Sequence, residues 1–329
     1  MTKRRCLISG ISGQSGSYLT EHLLSLDYEV FGIVRRHSVS ENQNSRLRQV
    51  QDKMKTFYGD TTDPYSLAKI VRDVKPDEIY HLAAQSHVRV GFDIPAYTAQ
   101  ANALGTLNML EVYKEEAPGA KFYNAASSEM FGNSVEADGS QNENTLMNPV
   151  SVYGCTKVFG YNLARHFRRA YGLFICNGIL FNHESPRRGS NFVTNKVVKA
   201  AVDIKMGKTN MLYLGNLDAA RDWGHAADYV KMMNKMLQHN VPDDYVVATG
   251  ISHTVRDLCE YVFSALEMDW RDYVRLDEKY LRAEELEFLR GDPTKLKTTF
   301  GWEPEYTFES MLDEMIEYWL VKHYMPEGE

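Results

Sequence analysis

Through the first half of this chain, short apolar runs alternate with longer amphipathic stretches, and few folds accommodate that rhythm. Runs this short and this uniformly apolar suit parallel strands covered on both faces rather than strands with one wet face. The stretches between them read as helices that cross from one parallel strand to the next. Six strands are predicted, over Arg5–Ser9, Glu29–Val34, Lys55–Tyr58, Glu78–Leu82, Lys121–Ala125 and Phe174–Leu180. Right-handed crossovers make such strands an open sheet whose ligands lie beyond the strands' carboxyl ends. The segments that follow the six runs are GISGQSG, RRHS, GDTTD, AAQSH, ASSEMFG and NHESPRRG. Six loops rich in glycine, charge and hydroxyls therefore fall on one rim.

After Phe181 the rhythm loosens into a helix from about Phe192, a short strand near Met211 and mixed elements beyond. The 329 residues exceed what one core usually holds, so two regions are expected. No repeat or Pro/Gly-rich linker separates them, which predicts a tightly packed boundary. The division is residues 1–181, with segments near 211–250 returning to that unit, and residues 182–329 as mainly a cap. The fold class expected is α/β: a Rossmann-type doubly wound parallel sheet with a smaller C-terminal α/β substrate-binding domain.

Composition closes off several classes of function. A net charge of -7 argues against a nucleic-acid partner, since such proteins carry a basic surface. Cys6, Cys155, Cys176 and Cys259 are too few and too scattered for a disulfide framework or a cysteine metal site. The opening MTKRRCLISG has no apolar run behind its positive charges, and no stretch approaches the roughly 18 apolar residues that span a bilayer. A cytoplasmic protein without a membrane partner is expected.

Gly10, Gly13 and Gly16 fall between the first strand and a helix predicted over Ser15–Leu26, where bare backbone can approach a pyrophosphate at the positive end of a helix. The residue after the second strand then discriminates between dinucleotides: an acid there serves the ribose of NAD, and arginine serves the 2'-phosphate of NADP. Here Arg35 and Arg36 follow Val34, so NADP is the cofactor expected. Its contacts are expected from Gly10, Ile11, Ser12, Gly13, Gln14, Ser15 and Gly16 of the turn, and from Arg35, Arg36, His37 and Ser38. Asp60 and Thr61 follow the third strand, Leu82, Ala83, Ala84, Gln85 and Ser86 the fourth, and Tyr97 joins them.

Tyr153 and Lys157 stand four apart in a helix predicted over Val150–Tyr171, which places both on one face. An adjacent ammonium favours phenolate, so Lys157 is expected to lower the tyrosine pKa and make Tyr153 a base. His183 has no second histidine or cysteine at ligand spacing, and no metal is expected. These residues alone leave open several nucleotide-sugar enzymes and a non-catalytic sensor that keeps the fold.

With GISGQSG, HLAAQS and YGCTK in place, the chain resembles the extended short-chain dehydrogenase/reductase family over nearly its whole length. The longer strings SSEMFG, NPVSVYGCTK, GILFNHESPRRGSNFVTNK and LGNLDAARDWGHAADYV narrow that resemblance to the GDP-mannose 4,6-dehydratases. A dTDP-glucose enzyme of the same class carries Asp-Glu where this chain has Ser128-Glu129. The resemblance implies GDP-mannose as substrate, a homodimer or homotetramer, and catalytic positions at Ser127, Glu129, Tyr153 and Lys157. It adds His183 and Arg188 to the cofactor contacts. Ser86, Ser127, Glu129, Asn182, Lys196, Arg221, Arg282 and Glu285 become candidate substrate contacts. Two departures stand out: Ser127 replaces the family's usual threonine, and Asn195 stands where the family carries arginine.

Overall fold

The computed structural model describes residues 3–36, 45–280 and 284–324. Its centre is a seven-stranded sheet built from β1 (Arg5–Ser9), β2 (Glu29–Val34), β3 (Met54–Tyr58), β4 (Glu78–His81), β5 (Lys121–Ser127), β6 (Ile175–Leu180) and β10 (Asp244–Val247). The order is β10-β6-β5-β4-β1-β2-β3, every pair parallel. The order turns back on either side of β1, which places a crevice at the carboxyl ends of β1 and β4. The six strands expected from the apolar runs all form, with ends that shift by no more than two residues.

Each face of the sheet is covered because each crossover helix buries one apolar stripe. Leu19 and Leu23 of helix Gln14–Ser25 pack with Met233 and Leu237 of helix Ala226–Gln238 on one face. Leu67, Met109 and Phe167, from helices Pro64–Val74, Gly105–Glu116 and Val152–Tyr171, cover the other. Gly32 in β2 is a packing requirement, since a Cβ there would lie 2.4 Å from the Ile11 side chain of the glycine turn.

Beyond Phe181 lie two small sheets. One joins β7 (Asn182–Glu184), β9 (Ala220–His225) and β11 (Ser252–Thr254); the other pairs β8 (Leu212–Leu214) with β12 (Val274–Leu276). A separate core ties them to helices Val193–Lys205, Val255–Ala265 and Phe308–Tyr324 through Val197, Leu258 and Met311. Trp223 is buried in that core. No helix among the described residues is long and apolar enough to cross a membrane.

The last strand of the main sheet is short, and a buried charge holds it. Asp244 opens β10 and accepts both arms of the Arg168 guanidinium at 2.9 Å, the Asn177 amide at 2.7 Å and the Tyr161 hydroxyl at 3.3 Å. Every partner belongs to β6 or to the helix that carries Tyr153. Removing one member of a buried pair leaves the other charge without compensation, at roughly 3–5 kcal/mol. Asp244→Ala should therefore lower the urea unfolding free energy by about that amount. A loss near the ~0.5 kcal/mol of an exposed pair would show that the anchor carries no weight.

Candidate active site

The glycine turn follows β1 because the chain must reverse against β4. Gly10 has φ +74°, and a Cβ there would lie 2.9 Å from the Ala83 backbone. Gly13 donates to the Gly10 carbonyl at 3.0 Å, and helix Gln14–Ser25 starts with no side-chain cap. The residue at the cap position is Gly13, which has no side chain to offer, and the first two helical side chains are engaged with the segment after β6. Gln14 donates to the His183 carbonyl at 2.8 Å and accepts from the Ser185 hydroxyl at 2.8 Å. The Ser15 hydroxyl lies 2.8 Å from His183 Nε2. Burial, then the charge of Arg188, pushes His183 down to about 4, so the ring is neutral. Its Nδ1 faces the Phe181 carbonyl at 3.0 Å and must carry the proton, which leaves Nε2 to accept from Ser15.

From this turn a cleft of about 930 Å³ runs along the carboxyl rim into the cap. Its walls include Gly10, Ser12, Gly13, Gln14, Ser15, Gly16, Arg35, Asp60, Thr61, Tyr97, His183 and Arg188, with Leu82, Ala83, Ala84, Gln85 and Ser86 between them. Ser127, Glu129, Tyr153 and Lys157 line it beyond the glycine turn, and Asn182, Lys196, Arg221 and Glu285 line it from the segments after β6. Two residues singled out from sequence sit elsewhere. The Ile11 side chain is buried in the core, and the exposed Arg36 guanidinium lies 6.0 Å from the Tyr58 ring centre. His37, Ser38 and Arg282 lie outside the described residues. Among the described residues no group of three His, Cys, Asp or Glu side chains is placed to hold a metal ion.

The stretch beyond the glycine turn is set by β5 and the helix it feeds. Ser127 ends β5, and its hydroxyl accepts from the Glu129 amide at 3.3 Å, starting a tight turn that buries Glu129. The turn, rather than a threonine methyl, thus restrains the Ser127 hydroxyl. Ser151 caps helix Val152–Tyr171 by accepting from Gly154 at 3.0 Å, which puts Tyr153 in the first turn and Lys157 one turn on. Lys157 donates to the Ala125 carbonyl at 2.7 Å, with its ammonium 5.7 Å from the centre of the Tyr153 ring.

The electrostatics differ from the sequence expectation for this pair. Burial pushes Tyr153 up to about 12, aided by the Glu129 charge and opposed by the Ser127 hydrogen bond and Arg188. Burial also pushes Lys157 down to about 8. Desolvation outweighs the attraction that spacing alone suggests.

After β6, Arg221 lies on β9 and its guanidinium donates to the Ala220 carbonyl at 2.8 Å. Its neighbour Asp222 points the other way and accepts from the amides of Thr249, Gly250 and Gly291 at 2.9, 2.9 and 3.2 Å. Lys196 donates to the Tyr213 carbonyl at 2.6 Å and lies over the Tyr280 ring. Asn195 is not on the wall. It is buried, accepts from the Trp319 indole at 2.6 Å and donates to the Arg188 carbonyl at 2.5 Å, so it supports the cleft from behind. Sequence reasoning missed Arg46 and Tyr280, which line the cleft and sit at no diagnostic spacing from any motif, and it did not single out Phe192, which lines the cleft from within the SPRRGSNFVTNK run.

A doubly wound sheet, an uncapped glycine turn and a Tyr-x-x-x-Lys pair in one cleft define an enzyme of the extended short-chain dehydrogenase/reductase class. Comparison with known proteins agrees. The family model described as GDP-mannose 4,6 dehydratase matches residues 7–315. GDP-mannose 4,6 dehydratase 2 of Arabidopsis thaliana is 46% identical over 325 residues, covering 96% of this chain and 86% of that one. The Homo sapiens GDP-mannose 4,6 dehydratase is 44% identical over 335 residues, covering 94% and 90%. Among solved structures, a dTDP-glucose 4,6-dehydratase of Streptomyces venezuelae with NAD and TYD bound superposes with a TM-score of 0.85. It is 24% identical, with 98% of this chain and 99% of that one covered. A Pseudomonas aeruginosa protein, RMD, complexed with NADPH gives 0.80 at 24% identity, with 97% and 100% covered. The chain belongs to the GDP-mannose 4,6-dehydratase family.

The depressed Lys157 has a consequence for stability. Its folded pKa lies below the ordinary 10.5, so the charge destabilises the fold below about pH 8 and the penalty fades as pH rises from there toward 10.5. The shift corresponds to a penalty on the order of 3 kcal/mol at pH 7, partly offset by the bond to Ala125. Lys157→Met should melt higher than the parent at pH 7 in the ligand-free state, with the gap closing as pH approaches 10. An equal or lower melting temperature at pH 7 would contradict this.

Proposed function

We propose that this chain converts GDP-mannose to GDP-4-keto-6-deoxy-mannose and water, as an NADP-dependent hydro-lyase. The observation that carries the reading is the convergence of Ser127, Glu129, Tyr153 and Lys157 in one cleft that begins at the glycine turn. The residues fit the cofactor. The helix after the turn has no side-chain cap, so its first amides remain available for a pyrophosphate. Arg35, exposed on the wall after β2, suits a 2'-phosphate and favours NADP over NAD, with Arg36 beside it. When bound, the nicotinamide supplies the oxidant for carbon 4 of the sugar and the reductant for carbon 6.

The protein's own groups move the protons. Tyr153, as phenolate, takes the proton of the carbon-4 hydroxyl, and Lys157 supplies the positive charge that favours that form. Burial and the Glu129 charge hold Tyr153 near 12 against the Ser127 hydrogen bond and Arg188, so its use as a base depends on further positive charge entering the cleft on binding. The ketone at carbon 4 acidifies carbon 5. Glu129 takes the carbon-5 proton and delivers it to the carbon-6 hydroxyl, which leaves as water, with Ser127 donating a hydrogen bond. The proton held by Tyr153 then returns to carbon 5, so both residues end as they began.

Residues 1–181, with the strand at 244–247, form the cofactor half in this reading, and residues 182–329 mainly the substrate half. Lys196, Arg221 and Arg282 suit the two phosphates of GDP-mannose, and Asn182, Glu285 and Ser86 its hydroxyls. The enzyme works in the cytoplasm as a homodimer or homotetramer.

Purified protein given GDP-mannose without added cofactor should yield a product lighter by one water in mass spectrometry, and none from dTDP-glucose. Glu129→Gln should retain NADP yet lose turnover by about 10²- to 10⁴-fold. Full turnover by that variant would sink the role of Glu129, and absence of water loss in the parent would sink the activity.

A further inference from the structure

The turn that buries Glu129 leads, four residues on, to a contact with the C-terminal half of the chain. Gly132 has φ +58°, and a Cβ there would lie 1.8 Å from the Asn148 carbonyl oxygen, so the chain reverses where only glycine fits. The reversal sets Asn133 beside the segment 285–292. Its side-chain nitrogen donates to the Glu285 carbonyl at 3.1 Å, and its side-chain oxygen accepts from the Glu287 amide at 3.1 Å. One carboxamide thus occupies a carbonyl and the amide two residues on, groups that a neighbouring strand would otherwise pair.

From Glu287 onward the same segment is held by other ties. Ala220 donates to the Glu287 carbonyl at 2.9 Å and accepts from the Leu289 amide at 3.1 Å, and Gly291 donates to the buried Asp222 carboxylate at 3.2 Å. On the other side, the Gln141 backbone donates to the Arg290 carbonyl and accepts from the Asp292 amide, each at 2.9 Å. Leu286 and Leu289 share an apolar cluster with Met130 and Phe131 beneath the Glu129 turn. Apolar contact is non-directional and does not set which residue lies opposite which. Asn133 supplies that direction at Glu285, where the segment meets the cleft wall.

We infer that Asn133 is a positioning residue for the sugar nucleotide. It fixes the register of Glu285 against the turn of Ser127 and Glu129, so that the side chain suited to a substrate hydroxyl and those suited to move the proton keep a set separation. Asn133 acts through Glu285 and not on a reacting atom. The inference rests on the reading above in which Glu285 bonds a hydroxyl of GDP-mannose. Because Ala220, Gln141 and Asp222 keep their ties when Asn133 is changed, the effect falls on substrate binding and spares the cofactor end of the cleft.

The test compares Asn133→Ala and Asn133→Asp with the parent in turnover of GDP-mannose, in titrations with GDP and with NADP+, and in ligand-free melting. Asn133→Ala should raise KM for GDP-mannose by about 5- to 30-fold, the size expected for two lost neutral hydrogen bonds, with kcat and NADP+ affinity little changed. Asn133 is exposed, so melting should move little. Asn133→Asp keeps the acceptor but faces the Glu285 carbonyl without a donor, and should lose at least as much. An equal loss for GDP assigns the hydroxyl to the ribose, and a loss confined to GDP-mannose assigns it to the mannose. Unchanged KM in both variants would overturn the inference. So would a fall in kcat and NADP+ affinity as large as the change in KM together with lower melting, the signature of general loosening. A parent protein that neither binds GDP nor turns over GDP-mannose would instead overturn the substrate reading on which the inference stands.

Discussion

A buried chain of hydrogen bonds runs from the end of β1 to the helix that carries Tyr153 and Lys157, and the cleft depends on it. The Ser9 hydroxyl lies 2.9 Å from His81 Nδ1 and accepts from the Leu82 and Ala83 amides at 3.2 Å. His81 Nε2 meets the Thr106 hydroxyl at 3.2 Å, and Thr106 donates to the Asn102 carbonyl at 2.7 Å. The Asn102 side chain bonds the Gln85 amide at 2.7 Å and the Thr156 hydroxyl at 3.2 Å, and Thr156 donates to the Tyr153 carbonyl at 2.7 Å. Burial pushes His81 down to about 3, so the ring stays neutral and never brings an unpaired charge into the chain. Such networks are strong when every member is satisfied and costly when one is not. A single wide turn over Ala99–Leu104 makes this one possible, by placing Asn102 between the β4 loop and the helix Val152–Tyr171.

Around that chain, the cleft concentrates groups that oppose folding. Lys157 is half-buried against a carbonyl, Glu129 is buried in a tight turn, and Arg188 meets Glu184 in the interior. The sheet compensates, since its two faces bury long apolar stripes and Asp244 locks its last strand to the helix Val152–Tyr171. This division of labour lets charged groups sit along the cleft above a well-packed core.

Much of the fold was legible because its signals are local. An apolar run such as Cys6–Ile8 has one reading in a parallel sheet, and the i, i+4 spacing of Tyr153 and Lys157 fixes their common face whatever surrounds them. The electrostatics were not legible. Spacing shows that Lys157 is near Tyr153, but only the packed structure shows that Tyr153 is buried, that Lys157 is half-buried and that the ammonium is bonded to Ala125. Asn195 illustrates the same limit: the motif marks its position as unusual, and only the fold reveals that it faces Trp319 rather than the cleft. Arg46 reaches Ser12 across 34 residues of chain, a contact no periodicity announces.

One residue joins the central sheet to the small sheet beside it. Phe181 alone separates β6 of the main sheet from β7 of the cap; it is buried, and its amide bonds the Val247 carbonyl at 3.0 Å. Alternation along an extended chain therefore carries straight from one sheet into the other. A slip of one residue in the β5–β6 pairing would turn over Asn182, His183 and Glu184 together, pulling His183 from Ser15 and Glu184 from Arg188. The register of the central sheet thus serves as a ruler for the site, and a misaligned fold is a chemically silent one.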